Sequence, residues 1–442
     1  MGSIGEQENE GETAESWLSD SRLRYLLSIA TAVIYYFSNP SPQNHYDYTF
    51  RVAENFLRGS IGFAEKRPSW LNEFVPFEGA WYSVFPLGAV LSMIPAAILK
   101  VVGIVTDMPG AWIAAILAGV ICFFLLKIAA KYDTTRSRQI LLTMAVMFCT
   151  FMWTNLMFSA AWQLALGFAM VGELGAIYFT VYDRRPLIAG IFFALAFGNR
   201  TENLLTAPVF IYLLTRDKSE PAASAAGIER TEKSRSGAGK SVASKPPANA
   251  PRSDMVKLLA AFCSVPFVLG VATLIYNYVR FHSFTDFGYA RIPGVLQEPW
   301  YDHGIFSTYY LGRQAWEMLF KMWNWRQTFP YLVPDGFSSS ILFSSPFLLL
   351  IFRVGSRDGA LKLACWFSVV ILTFLLWIHG NSGGWQFGYR YAMILLPWIF
   401  VILLENGKKY VTPTEWVLCA ISFIANIYAT WLFHWTDYLK GQ

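Results

Sequence analysis

Asp47, Arg51, Glu54 and Arg58 stand at i, i+4, i+7 and i+11, shortly after the first long apolar run of the chain. On an α-helix they share one polar stripe, while Phe50, Ala53 and Leu57 form an apolar one, so the spacing predicts a helix lying in a membrane surface. On local grounds the stripe reads equally as a solvated Asp47–Arg51 pair. A second polar group, Asn199-Arg200-Thr201-Glu202, interrupts two apolar runs. There Arg200 and Glu202 either pair with each other or meet a ligand. The third runs from His379 to Tyr391 and holds four glycines, which permit close backbone approach to a ligand, with Arg390 in the first turn of the apolar helix that follows. A guanidinium at that depth either snorkels to the interface or needs an anionic partner, and phosphate is one candidate. The chemistry in prospect is anion binding beside carboxylates.

Elements that must carry these groups are apolar. Of 442 residues 55% are hydrophobic and 17% aromatic, and only 15% are charged, against roughly 25% in an ordinary soluble domain. This composition is that of a membrane protein. The charge falls between apolar runs long enough to cross hydrocarbon about 30 Å thick. Cys122, Cys149, Cys263, Cys365 and Cys419 sit inside or beside these runs without pairing, and read as small buried apolar residues. His303 and His379 lack the spacing of metal ligands, so no metal site is expected. A net charge of +5 scattered over loops is no nucleic-acid signature. Residues 1–22 are polar and acidic with no basic region before the apolar stretch, so no cleavable leader is predicted.

Arg22 and Arg24 before Tyr25–Phe37 put residues 1–22 in the cytoplasm as an N-terminal tail. The stretch Trp81–Val102 contains Pro86, Gly88 and Pro95. Reading it as a span puts the basic loops outside; reading it as a re-entrant or surface-lying hairpin keeps them in the cytoplasm, and the second is adopted. The prediction is an all-α polytopic membrane protein with about eleven transmembrane helices and surface-lying helices in a first external loop, 39–109. Spans are expected at Tyr25–Phe37 and near 110–131, 139–157, 160–182, 186–199, 203–215, 257–278, 338–353, 361–378, 390–404 and 414–434. A transmembrane core over 23–216 is followed by a disordered cytoplasmic linker, 217–254, and a second transmembrane part, 255–442, with a long external segment, 278–337. The tryptophans at the outer end, Trp300, Trp323, Trp325 and Trp385, also suit an interfacial belt.

An acid just after the first helix, surface helices before the second, and a long series of spans resemble the GT-C class of glycosyltransferases. More narrowly the chain, from about 23 to 435, is similar to the protein O-mannosyltransferase and aminoarabinose-transferase branch, and Gly383-Gly384-Trp385-Gln386-Phe387-Gly388-Tyr389-Arg390-Tyr391 looks like a motif of its bacterial members. The resemblance implies an inverting transfer of a sugar from a polyprenyl-phosphate donor to a hydroxyl acceptor on the extracytoplasmic side of the cell membrane, without a cofactor. Asp47 matches the catalytic base of that family, with Glu54 as its substitute if the helix is rotated. Arg200 and Arg390 are then the phosphate clamp, with Lys66 or Arg67 as a further contact, and Tyr46, Arg51, Glu202, Trp385, Tyr389 and His303 contact substrate. Asp47 is followed by Tyr48 rather than by a second acid, which weakens the case for a divalent cation. A transporter or flippase of an anionic lipid-linked sugar would use the same arginines without a base, and Glu173 within a span speaks for it.

Overall fold

The computed structural model describes residues 20–216 and 252–438. Most of the predicted tail, 1–22, and of the linker, 217–254, lies outside these. The apolar runs are helical because a backbone in hydrocarbon must satisfy its own N–H and C=O groups. The chain begins with α1 (Asp20–Phe37), α2 (Tyr48–Leu57), the antiparallel hairpin β1 (Phe74–Phe77) and β2 (Ala80–Ser83), and the short α3 (Leu87–Ser92) and α4 (Ile94–Val101). Then come α5 (Gly110–Ala129), α6 (Arg136–Phe148), α7 (Met152–Met157), α8 (Ala161–Ile177), α9 (Pro186–Asn199) and α10 (Ala207–Thr215). A π-helical turn, Tyr178–Tyr182, prolongs α8, and a 3₁₀ stretch, Thr201–Thr206, leads into α10. Beyond residue 251 follow α11 (Arg252–Phe281), α12 (Leu311–Leu319), the two-residue strands β3 (Asn324–Trp325) and β4 (Leu332–Val333), α13 (Ile341–Ser344), α14 (Gly359–Ile378), α15 (Leu396–Glu405) and α16 (Pro413–Trp435).

Among the described residues five helices are long and apolar enough to cross a membrane: Gly110–Ala129, Ala161–Tyr182, Asp254–Phe281, Gly359–Ile378 and Pro413–Trp435. This is a helical membrane protein. The Ala161–Tyr182 helix is its axis, with 89% of its apolar window buried, whereas the Asp254–Phe281 helix is peripheral, with 6% buried. Four of the runs predicted as single spans are instead pairs of short helical pieces. Pro208, Pro346 and Pro397 open the second piece in three of them, because proline cannot donate to the preceding turn but fits the first. In the fourth the Thr150 hydroxyl takes the Val146 carbonyl at 2.7 Å and accepts from the Met152 N–H, so α6 stops and α7 restarts.

Trp81–Val102 contains no unbroken helix. Trp81 to Ser83 pair with β1 instead, through a two-residue turn in which Glu78 and Gly79 have φ of +46° and +80°. The chain then turns into α3 and α4. The stretch read as a re-entrant or surface-lying hairpin therefore begins as a strand, because aromatic residues alternating about a Glu-Gly turn favour a β-hairpin.

At one end of the bundle the basic loops meet. Glu405 accepts from Tyr132 Oη at 2.9 Å and from the backbone of Arg357 and Asp358 at 3.0 and 2.7 Å. Arg216 grips Asp358 with both terminal nitrogens at 3.0 and 2.6 Å, and Arg184 donates to the Arg216 carbonyl. Buried Arg138 pairs with Glu415, which also takes Arg353. Residues 132–138, 184, 216, 353–358 and 405–415 thus share one end, and the three polar groups singled out in the sequence share the other.

Candidate functional site

The first loop is sewn to the start of α8: Gln43 N–H donates to the Phe158 carbonyl and Ala161 N–H to that of Tyr46, at 2.9 and 3.0 Å. This anchors Asp47 just before α2. Its carboxylate is buried and pairs with Arg51 Nε at 2.6 Å. Burial raises the Asp47 carboxyl above its usual range, and the Arg51 guanidinium opposes that rise. Glu54 is turned elsewhere, to Arg58 at 2.5 Å and to Lys100 of α4 at 2.8 Å. The polar stripe therefore forms as two i, i+4 pairs. Of the predicted apolar stripe, Phe50 and Ala53 are fully buried inside the protein and Leu57 is exposed. Nor does α2 lie on a membrane face alone, since Tyr48, Phe50 and Val52 enter the main core.

Glu73, one residue before β1, is the acid that faces the arginines. Both its oxygens accept from the indole N–H of Trp162, at 2.9 and 2.8 Å. Enclosure by protein pushes its carboxyl up to about 7, against the pull of Trp162, Arg390 and Arg200. The Trp162 ring is 5.8 Å from the Arg390 guanidinium and lies against Tyr46 and Tyr48 at 5.3 and 5.2 Å. Arg390 is buried, donates to the Gly384 carbonyl at 2.7 Å and to Tyr391 Oη at 3.3 Å, and leaves Nε without a partner. Among the described residues no carboxylate pairs with it. Arg200 packs on the same Tyr391 ring, with guanidinium carbons 4.8 Å (Arg200) and 5.1 Å (Arg390) from its centre. Its Nε and Nη2 both hold Glu202 Oε1, at 2.7 and 2.6 Å. Burial lowers the Arg200 pKa and the Glu202 carboxylate more than restores it, so Arg200 stays charged.

The 379–391 loop that carries Arg390 is folded around two amides. Asn155 of α7 pairs with both backbone groups of Phe387, at 2.7 and 3.1 Å, and Gln386 Oε1 accepts the Arg390 N–H at 2.7 Å. Gly388 has φ of +68°, and a Cβ there would meet Phe151 at 2.8 Å, so glycine is required. Trp385 also has positive φ, +50°, with a half-exposed ring; such strain at a non-glycine residue is a mark of functional loops. Tyr389 is buried and donates to Gln314. His379 closes α14, its Nδ1 hydrogen-bonded to the Asn381 carbonyl at 2.7 Å, and burial lowers it to about 4, so the ring is neutral at pH 7. Its rim is aromatic, with Tyr301 and Tyr391 at 5.8 and 6.0 Å.

Tyr46, Arg200, Glu202 and Arg390 are thus brought together. Lys66 is exposed, and Arg67 lies over Phe63 and donates to the Glu65 carbonyl. His303 stacks on Tyr309 at 3.7 Å beside Asp302. Among the described residues no group of three or more His, Cys, Asp or Glu could hold a metal ion. Glu73 and Trp162 carry the centre together with Tyr391; the first two were not singled out from the sequence, and Tyr391 stood there only as the end of the 379–391 stretch. The signal was available: of the two acids between Trp70 and Phe85, Glu78 belongs to a Glu-Gly turn, which leaves Glu73 to explain.

Arg200 is held in place by close backbone contact. A Cβ on Gly88 of α3 would meet the Gly198 backbone at 2.4 to 2.5 Å, and Asn199 Nδ2 donates to Ser92 Oγ at 2.8 Å. Gly88→Ala should push α3 off the end of α9, costing about 1–3 kcal/mol. Thermal unfolding in detergent checks the cost. No protein-family model matches the chain, and no characterised protein or solved structure does.

Proposed function

We propose that this chain is a membrane glycosyltransferase of the GT-C kind, built on about eleven spans, that moves a sugar from a polyprenyl-phosphate donor to a hydroxyl acceptor. The observation that carries the reading is Arg390, a buried guanidinium with an unpartnered Nε and, among the described residues, no paired carboxylate, sharing one tyrosine ring with Arg200. Such a pair suits a phosphate, which takes several charge-assisted hydrogen bonds at once. In the reaction the acceptor oxygen bonds to C1 of the sugar from the face opposite the phosphate. The C1–O bond breaks with its electron pair leaving on the phosphate, and Asp47 takes the hydroxyl proton. Arg390 and Arg200 hold the charge that develops. An apolar groove of about 340 Å³ between α2, α3 and α11, lined by Phe56, Leu87, Ala272, Ile275 and Tyr276, suits the lipid tail. Glu173, which a transporter of an anionic lipid-linked sugar would use, is buried, with Oε1 accepting from Trp398 at 3.0 Å and Oε2 without a partner.

The test is release of polyprenyl phosphate by the purified protein from a panel of polyprenyl-phosphate sugars and acceptors. Turnover supports the reading, and donor that is translocated across liposomes but never cleaved overturns it. Glu73 adds a pH signature. Two neighbouring anions repel, so a phosphodiester donor binds best while Glu73 is protonated. Affinity is expected to be highest below a pH of about 7. It then falls towards a limit of about tenfold per pH unit above that point. The phosphodiester itself does not titrate there. Glu73→Gln should flatten the profile, and an unchanged profile would remove Glu73 from the site.

A further inference from the structure

The external segment between α11 and α13 exposes large aromatic side chains that no other part of the described chain covers. Trp316, Trp325 and Phe329 are 61%, 77% and 71% exposed, and Phe320 and Tyr331 more than half. Their placement is not random. In α12, Gln314 and Met318 are buried against the bundle, Met318 Sδ accepting from Trp377 of α14 at 3.3 Å, while Trp316 and Phe320 stand one turn apart on the outer side. Trp325 of β3 and Tyr331, just before β4, have rings 6.5 Å apart.

Both ends of this aromatic face run into helix faces made for lipid. Leu363, Phe367, Val370 and Phe374 of α14 form an exposed stripe at i, i+4, i+7 and i+11, which points up to Trp377 and α12. On the other side Phe329 lies 6.1 Å from Trp431, the continuation of the exposed Ile424 and Ile427 of α16. Trp323 stacks on Tyr428 of the same helix at 5.9 Å. The rim carries Arg326, exposed over Tyr438, and Lys321, paired with Asp335 at 2.9 Å. Aromatic rings with cations beside them suit the boundary between hydrocarbon and headgroups.

We infer that residues 309–332 form a surface docked in the bilayer leaflet on the side of the candidate site, with Trp316, Phe320, Trp325, Phe329 and Tyr331 inserted between lipids. The occupant is lipid rather than another protein because the patch adjoins the exposed apolar stripes of two helices long enough to cross a membrane, at Trp377 and Trp431, and the polar Arg326, Gln327 and Thr328 exposed within it suit headgroups. The segment, which follows a long loop outside the apolar spans, therefore lies in the membrane plane instead of projecting into water. The inference stands independently of the proposed reaction.

The test is carbene photolabelling of the unaltered protein in phosphatidylcholine–phosphatidylglycerol vesicles, with a phospholipid carrying a diazirine near the headgroup end of its acyl chain, followed by peptide mapping. Adducts on 309–332 are expected at a density comparable to that on 421–435. Adducts confined to the apolar helices, with none on 309–332, would overturn the inference. So would protection of the segment together with chain-to-chain cross-links through it, since a second copy would then be the occupant. As a second measurement, Trp325→Cys in a Cys263→Ser background, spin-labelled in the same vesicles, should be reached by oxygen more readily than by an aqueous nickel chelate. The reverse ranking overturns the inference.

Discussion

Arg390→Gln is expected to lower turnover of the donor by about a hundredfold or more, the usual cost of removing one preorganised donor to a developing charge. Lysine at the same position keeps the charge but not the planar fork, and should recover part of the loss. The reason is geometric. Arg390 spends its two terminal nitrogens on the Gly384 carbonyl and Tyr391 Oη, and its Nε is buried without a partner. A buried donor left unsatisfied costs about 1–3 kcal/mol, which a bound phosphate would relieve. The measurement is kcat and KM for polyprenyl-phosphate release by detergent-purified variants, with thermal unfolding to show that the loop still folds. A folded Arg390→Gln variant with undiminished turnover removes the phosphate clamp.

Asp47→Asn should cost about a hundredfold or more in kcat, with little change in KM, because the amide keeps size and a hydrogen bond to Arg51 but accepts no proton. Glu54→Gln is the matched control. Its carboxylate is held by Arg58 and Lys100 on the α4 side, so its loss should affect folding stability rather than chemistry. If Glu54→Gln abolishes turnover and Asp47→Asn does not, the base has been assigned to the wrong turn of α2. If neither matters, Glu73 is left as the acid beside the arginines.

The positions of the helices could be read from the chain because hydrocarbon leaves the backbone no other partner, and an apolar run therefore declares itself. Where those helices break could not be read as easily, since Thr150, Pro346 and Pro397 interrupt runs whose hydropathy stays high across the break. At the site, Asp47, Arg200 and Arg390 were conspicuous as charges at the ends of apolar runs. Glu73 was not, because its neighbours Trp70, Phe74 and Val75 gave no period that aims it anywhere; only the pairing of β1 with β2 and the indole of Trp162 do so. Lys66 and Arg67 looked equally conspicuous, yet Lys66 stays exposed and Arg67 is turned to Phe63. Sequence spacing selects a helix face well and a loop direction poorly.

The pinning of Arg216 by Asp358 has a use beyond stability. It fixes the last described residue of the first half against the second half, and Gly190 of α9 meets the Phe262 carbonyl of α11 so closely that a Cβ would lie 2.1 Å from it. Asn155 on Phe387 and Arg138 on Glu415 join the same two halves at opposite ends of the bundle. None of these contacts depends on the covalent link through 217–251. Contacts at both ends of the bundle thus tie the two halves together, so a chain divided within 217–251 is expected to reassemble from separately labelled halves.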